Sequence, residues 1–142
     1  MGFPTGHERG RYLTIDFGGT NLRVCNTVLL GREQDAQVTQ EKYKLPGVHR
    51  DSADQLWDFV AECVTRFLRE HSEDLEDTDS KKLPLAFTFS YPVTQTSICS
   101  GILQKWSKSL HIPGVEGHEI VSQLQTALDR KVRGHFRHDA CN

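Results

Sequence analysis

The stretch DFGGTN at residues 16–21 lies between two apolar runs, Tyr12 to Phe17 and Leu22 to Leu30. Apolar runs bounded by glycines are typical of two β-strands joined by a tight turn. Glycines lack a Cβ, so the backbone amides of such a turn can approach an anion, and the neighbouring threonine and asparagine add donors. The aspartate at the end of the first run is suited to holding Mg²⁺. The stretch by itself is more typical of an ordinary hairpin turn, with a phosphate-binding hairpin as the alternative.

Apolar spacing along the rest of the chain predicts an α/β arrangement. From Ser52 onward the apolar residues recur at intervals of three and four, which indicates an amphipathic helix that begins with the capping box at residues 52–55. The order of strand and helix patterns is typical of an α/β three-layer unit on a mixed sheet, and the last helix should cross over to a further parallel strand. The other predicted elements are strands over 37–44 and 83–89, an acidic loop over 71–82, extended segments over 97–106 and a helix over 117–130.

Composition and charge exclude several classes of function. The 142 residues carry 17 Lys and Arg against 19 Asp and Glu, a net charge of −2, so nothing favours nucleic acid or a membrane surface as a partner. No apolar run reaches the ~18 residues of a membrane span, and the first ten residues lack the apolar stretch of a signal peptide. We expect a cytoplasmic chain whose four scattered cysteines are reduced. The tail at 135–141 contains His, Asp and Cys without a helical pattern, so no metal site is predicted there.

A second polar cluster follows the strand predicted over residues 83–89. Ser90 places a hydroxyl at the end of this strand, at the edge where ligands collect in open α/β sheets. Ser107 and Lys108 add a hydroxyl and a cation, which suit a polyhydroxylated ligand. Taken alone, these residues are more typical of an ordinary solvated loop, and a sugar-binding role is the alternative.

Several stretches together resemble the hexokinase family, in particular the fungal hexokinases and glucokinases. They occur in the family's order and cover nearly all of residues 3–130. The resemblance implies the small domain of an actin-like ATPase (ribonuclease H-like) fold, which is α/β with a mixed sheet and flanking helices. The matching stretches are FPTG at 3–6, LTIDFGGTNLR at 13–23, KYKLP at 42–46, LPLAFTFSYP at 83–92, GILQKWSK at 101–108 and VEGH at 115–118.

The resemblance implies an enzyme that transfers the γ-phosphoryl group of ATP, with Mg²⁺, to a hexose, as in the conversion of glucose to glucose 6-phosphate in glycolysis. Tyr91 stands where the family more often has phenylalanine, and Ser107 stands where the family has threonine. By resemblance, the nucleotide-binding residues are Asp16, Gly18, Gly19, Thr20, Asn21, Arg23 and Lys42, and the hexose-binding residues are Ser90, Tyr91, Ser107 and Lys108.

The family's catalytic aspartate has no counterpart among the matching residues. It belongs to an Asn-Asp-Thr motif at the end of the strand that should follow the second helix, and this motif does not occur in the sequence. Asp139 matches neither the neighbours nor the strand context of that aspartate. The resemblance therefore implies part of a small domain over residues 1–131, incomplete at both ends, followed by a tail over 132–142 that is unlike the family.

The missing base and large domain lead us to expect that the isolated chain is nearly inactive. The alternative is a non-catalytic sugar-binding or regulatory fragment. Without a strand after the second helix, the strand at 83–89 is expected to be an open edge, and exposed edges pair with other chains. The sequence therefore also predicts self-association through this sheet edge.

Overall fold

The elements of the fold are defined by a computed structural model that describes residues 5–31, 34–47, 51–71, 83–108 and 110–132. The acidic segment at 72–82 and the tail at 133–142 lie outside the described residues, so what was predicted for them stays a prediction. The described elements are β1 (Arg9–Phe17), β2 (Asn21–Leu30), β3 (Gln37–Lys44), α1 (Ala53–Glu70), β4 (Leu85–Phe89), β5 (Val93–Ser97), β6 (Ser100–Leu103) and α2 (Ile120–Lys131).

A four-stranded mixed sheet has the strand order β3-β2-β1-β4, and β5 and β6 form a separate antiparallel hairpin. β1 pairs antiparallel with β2 across the glycine turn and parallel with β4. Parallel neighbours need a crossover connection, and α1 lies in that connection. The α/β class and the mixed sheet are thus confirmed. Both described helices lie on one face of the sheet, so the described residues form two layers and not three. The reason is that β1, β2 and β3 pair antiparallel with their neighbours in sequence, which requires no crossover helix on the other face.

The core lies between this sheet and α1. Alternate residues of β1 point toward the helix, and Leu13, Ile15 and Phe17 are at most 1% exposed. The helix begins where it was predicted, because the Ser52 hydroxyl accepts a hydrogen bond from the Gln55 amide at 3.3 Å and caps the first turn. The buried stripe of α1 comprises Leu56, Trp57, Val60, Ala61, Cys63, Val64, Phe67 and Leu68.

Trp57 connects α1 to both of its neighbours. Its ring centroid lies 6.0 Å from that of Phe87 and 6.3 Å from that of Phe89 on β4, and its indole nitrogen donates to Gln123 Oε1 on α2 at 2.8 Å. Lys131 extends the contact between the helices through an ion pair with Glu62 at 2.9 Å. None of the described helices is long and apolar enough to cross a membrane.

The region after β4 differs from the sequence-based prediction. The extended pair spans residues 93–103, about four residues earlier than expected, because residues 94–97 are exposed and their polar sequence carries no apolar alternation. The second helix begins at Ile120 and not at Gly117, because Gly117 has a φ of +73° and cannot continue a helix. Glu119 then caps the helix with its carboxylate, which accepts from the amides of Val121 and Ser122.

Glu119 makes the stability of this region dependent on pH. Partial burial acts to raise the pKa of its carboxyl, but hydrogen bonds from the amides of Gly101, Ser122 and Val121 outweigh burial and lower the pKa below its ordinary 4.5. A carboxyl with a lowered folded-state pKa stabilises the fold above its unfolded-state pKa, and this stabilisation is lost as the pH falls through the folded-state value. We expect Glu119→Gln to cost about 1 kcal/mol of unfolding free energy at pH 7, which is typical of a lost helix cap.

Urea unfolding at a series of pH values measures this effect. The difference between wild type and Glu119→Gln should narrow progressively once the pH falls below 4.5. Asp54→Asn is the matched control, because Asp54 is an exposed carboxylate in the first turn of α1 that does not cap the helix. A pH-independent difference for Glu119→Gln, or an equal cost for both variants, would show that the carboxylate does not act as the cap.

The redox state of one described cysteine differs from the prediction that all cysteines are reduced. Cys25 and Cys63 carry free thiols, whereas Cys99, in the turn between β5 and β6, is disulfide-bonded, so the prediction is wrong for Cys99. Burial raises the pKa of the Cys63 thiol to about 12, which keeps this thiol protonated and chemically inert. The described residues contain no group of three or more His, Cys, Asp and Glu side chains that would hold a metal ion.

Candidate functional site

The two polar clusters predicted from the sequence meet at one end of the sheet. β1 ends at Phe17, immediately before the glycine turn, and its parallel neighbour β4 ends immediately before Ser90. The Ser90 amide donates to the Phe17 carbonyl at 3.1 Å, which continues the parallel ladder one residue beyond the end of β4. The carboxyl ends of parallel strands share one edge of a sheet, and open α/β sheets bind ligands there. The structure therefore brings the turn and Ser90 together.

The glycine turn presents two backbone amides that donate to no group in the described part of the chain, those of Gly19 and Thr20. The turn itself is closed by a hydrogen bond of 2.9 Å from the Gly18 amide to the Asn21 carbonyl. The Leu45 amide donates to the Thr20 carbonyl at 3.0 Å and ties the turn to the chain after β3. Successive unpaired amides in a turn form a concave set of donors that suits an anion.

Lys108 places a positive charge beside this turn. Its Nζ donates to the Ser90 carbonyl at 3.3 Å and lies 5.5 Å from the centroid of the Tyr91 ring. A Cβ added at Gly19 would lie 3.3 Å from Lys108 Cδ, so the absence of a side chain at Gly19 lets the lysine pack on the turn. Among the described residues other than glycine, only Lys108 has a left-handed φ, at 55°. Such a conformation costs about 1–3 kcal/mol and is concentrated at functional sites.

A row of polar side chains crosses the outer face of the sheet next to the turn. Asp16 on β1 is opposite Thr88 on one side and Arg23 on the other, and Arg23 is opposite Lys42 on β3. The Thr88 hydroxyl donates to Asp16 Oδ1 at 3.0 Å, and an Arg23 nitrogen lies 3.9 Å from Asp16 Oδ2. Both charged groups of this ion pair are about half exposed, so the pair contributes little to stability. Arg23 and Lys42 are exposed, so both positive charges remain accessible to a ligand.

Tyr91 and Ser107, both expected to bind the sugar, lie in different surroundings. Tyr91 is only 6% exposed, and its hydroxyl donates to the Gly18 carbonyl at 3.1 Å. Ser107 is half-buried and directly follows Trp106, whose indole nitrogen donates to the Ile112 carbonyl at 3.0 Å. The buried tryptophan holds the loop that carries Ser107 and Lys108 against the end of β4.

Two residues that support the site were not identified from the sequence. Thr88 orients Asp16, and its outward position follows from the alternation of β4, which offered a signal that sequence reasoning did not use. Glu116 accepts a hydrogen bond from the Trp106 amide at 2.7 Å and braces the loop before Lys108. This contact joins residues ten positions apart across a loop, so no local sequence pattern indicates it.

The fold is an α/β lobe of the actin-like ATPase type, with a candidate anion site at one edge of its sheet. Solved structures of the same type match the chain closely. A hexokinase from Schistosoma mansoni complexed with glucose superposes with a TM-score of 0.81 at 32% identity, covering 94% of this chain and 29% of that one. Another hexokinase crystal structure gives a TM-score of 0.75 at 33% identity, covering 89% of this chain and 30% of that one.

Sequence comparison leads to the same family. The family model described as Hexokinase matches residues 1–140, and the chain belongs to the hexokinase family. It is 48% identical over 132 residues to the hexokinase of Schwanniomyces occidentalis and 49% identical over 131 residues to hexokinase-2 of Candida albicans. Each match covers 92% of this chain, but only 27% and 26% of those relatives. The chain thus spans about a quarter of the length of the curated relatives it matches.

Proposed function

We propose that this chain is the phosphate-binding part of an ATP-dependent hexose kinase, which phosphorylates a hexose such as glucose in cytoplasmic glycolysis. The observation that carries the proposal is the packing of the Lys108 side chain on Gly19, beside the unpaired amides of Gly19 and Thr20. A cation next to two adjacent amides with free N–H groups suits the β- and γ-phosphates of a nucleotide. Membership of the hexokinase family supports a hexose as the acceptor, since the structural neighbour from Schistosoma mansoni is complexed with glucose.

Asp16 fits a role in holding Mg²⁺ together with the phosphates. Mg²⁺ is usually bound in proteins by one or two carboxylates, water and substrate phosphate oxygens, so a single aspartate next to a phosphate loop is a suitable protein ligand. The Asp16 side chain is 46% exposed, and the Thr88 hydroxyl fixes its orientation. When bound, Mg²⁺ would neutralise charge on the phosphate oxygens.

The chain's own residues would position the two substrates. The turn amides and Lys108 would orient the phosphates, and the exposed Arg23 and Lys42 would add positive charge along the outer face of the sheet. Ser90 is exposed at the end of β4, and its hydroxyl would donate a hydrogen bond to, or accept one from, a hydroxyl of the hexose. Ser107, which directly precedes Lys108, would offer a second hydroxyl to the hexose. Holding both substrates in this way supplies orientation, which is a large part of phosphoryl-transfer catalysis.

Titration calorimetry of MgATP with the whole 142-residue chain tests the proposal. We expect saturable binding that Lys108→Gln weakens at least about 10-fold, because a hydrogen bond to a charged group is worth about 1.5–3 kcal/mol. Lys105→Gln is the matched control, since Lys105 is an exposed lysine of the same loop. The absence of MgATP binding, or equal weakening by both variants, would contradict the proposed site.

A sugar-binding fragment without catalytic activity is the second candidate function. The observation in its favour concerns Asp16, the carboxylate next to the glycine turn, which is already engaged by Thr88 and Arg23 and is therefore poorly placed as a base for a sugar hydroxyl. Saturable glucose binding without any MgATP binding would favour this candidate over the kinase part.

We also propose that the chain self-associates through β4, which is an edge strand of the described sheet. Phe87 and Phe89 on β4 are only half-buried, and they line a cavity of about 140 Å³ together with Ile98, which is 74% exposed. The other edge strand, β3, carries several charged side chains, whereas β4 carries none. Charged residues protect sheet edges from pairing, so β4 is the vulnerable edge.

Analytical ultracentrifugation of wild type and Ala86→Lys tests this self-association. Ala86 is exposed on β4, and a lysine there should shift the chain toward monomer at concentrations where wild type forms dimers or larger species. Val38→Lys adds the same charge at an exposed position of the β3 edge and should leave the wild-type distribution unchanged. A monomeric wild type with a sharp, cooperative unfolding transition would refute the proposal.

A further inference from the structure

The peptide unit between Gly18 and Gly19 controls which way one of the candidate anion donors points. In a trans peptide the C=O and the N–H are coplanar and point in opposite directions, so fixing the Gly18 carbonyl also fixes the Gly19 amide. Two successive glycines allow this unit to rotate with little steric resistance, because neither residue has a Cβ. A turn of this kind binds an anion well only if another group holds the orientation of the peptide.

The Tyr91 hydroxyl provides such a restraint. It donates to the Gly18 carbonyl at 3.1 Å, so the Gly19 N–H points in the opposite direction within the same peptide plane. The ring that carries the hydroxyl is buried and packs against the rings of Phe89, Trp106 and Phe17, with centroid distances of 4.9, 4.8 and 6.1 Å. An aromatic side chain held on several sides has little freedom, so the position of its hydroxyl is well defined.

We infer that Tyr91 is a positioning residue for the glycine turn and orients the Gly19 amide toward a bound phosphate. This inference rests on the proposed function, because it assigns a role within the proposed phosphate site. It also replaces the expectation that Tyr91 binds the sugar, since a side chain that is 6% exposed and hydrogen-bonded to the turn acts through the turn.

The chain contains three tyrosines, so the inference is tested by removing each hydroxyl in turn. Tyr91→Phe keeps the ring packing and deletes the hydroxyl that donates to the Gly18 carbonyl. Tyr43→Phe deletes a buried hydroxyl that has no hydrogen-bond partner among the described residues, and Tyr12→Phe deletes a hydroxyl on a side chain that is 36% exposed. The measurements are the ¹⁵N order parameter of the Gly19 amide and the MgATP affinity, with urea unfolding as a check that each variant is folded.

For Tyr91→Phe we expect the Gly19 order parameter to fall from about 0.85 toward 0.6 and the MgATP affinity to fall about 3- to 10-fold. Tyr43→Phe and Tyr12→Phe should change neither quantity. A Gly19 amide that stays equally ordered in Tyr91→Phe would overturn the inference, as would equal changes in all three variants. If wild type binds no MgATP, the proposed function fails, and the order parameter alone decides whether Tyr91 positions the turn.

Discussion

Turnover of ATP and glucose by the 142-residue chain alone is expected to be at least about 10⁴-fold slower than turnover by a complete relative such as the Schwanniomyces occidentalis hexokinase. A positioned base contributes about 10²–10⁴-fold in proton transfer, and no residue of this chain matches the family's Asn-Asp-Thr motif. The chain also corresponds to only 27% of that relative's length, so we expect it to position the two substrates less completely. Positioning contributes further orders of magnitude.

A coupled assay that follows glucose 6-phosphate formation measures this difference. The complete relative, diluted to the limit of detection, sets the scale, and MgATP binding to the chain shows that its site is formed. Turnover within about 100-fold of the complete relative would mean that a residue outside the family motif acts as the base, because loss of a base alone costs at least that much.

Replacing Trp57 by alanine is expected to cost about 3–5 kcal/mol of unfolding free energy, the range typical of truncating a buried aromatic residue. Trp57 lies on α1 and is 2% exposed. It contacts both elements that pack against this helix, through the aromatic residues of β4 and through Gln123 of α2. Domains of this size are usually stable by about 5–15 kcal/mol, so the loss is a large share of the total. Urea unfolding followed by circular dichroism measures it.

Two further variants separate the causes of this loss. Trp57→Phe keeps most of the ring packing but removes the hydrogen bond to Gln123, so we expect about 1–2 kcal/mol. Ile98→Ala truncates an apolar side chain that is 74% exposed and should cost less than about 0.5 kcal/mol. A cost for Trp57→Ala that is no larger than that of Ile98→Ala would show that α1 does not pack on the sheet as described.

Local sequence patterns predicted most of the elements because each pattern has a local physical cause. The glycine pair allows a tight turn between β1 and β2, and the apolar stripe with its serine cap produces α1 close to the predicted position. The extended segments were predicted later in the sequence than β5 and β6 lie. The exposed polar residues of β5 form a strand only because their backbone pairs with that of β6, and no apolar pattern marks this pairing. The start of α2 was predicted too early in the sequence, because Gly117 adopts a left-handed φ and the helix begins only after it.

The candidate site shows the same division between local and long-range information. Sequence reasoning and resemblance named Gly19, Ser90 and Lys108 in separate stretches of the chain. Their convergence depends on the parallel pairing of β1 with β4 and on the loop that Trp106 anchors. The buried setting of Tyr91 and its hydrogen bond to the Gly18 carbonyl depend on packing among aromatic residues from different elements, which no sequence spacing encodes.

The sequence by itself determined the α/β class, the hairpin with its glycine turn, the first helix and the resemblance to hexokinases. These depend on residue type and on periodicity over a few turns or strand positions, which are readable along the chain. Only the tertiary structure decided that Lys108 packs on Gly19, that Tyr91 bonds to the turn and that both described helices share one face of the sheet. These features arise from contacts between residues distant in sequence, whose energies depend on how the elements pack together.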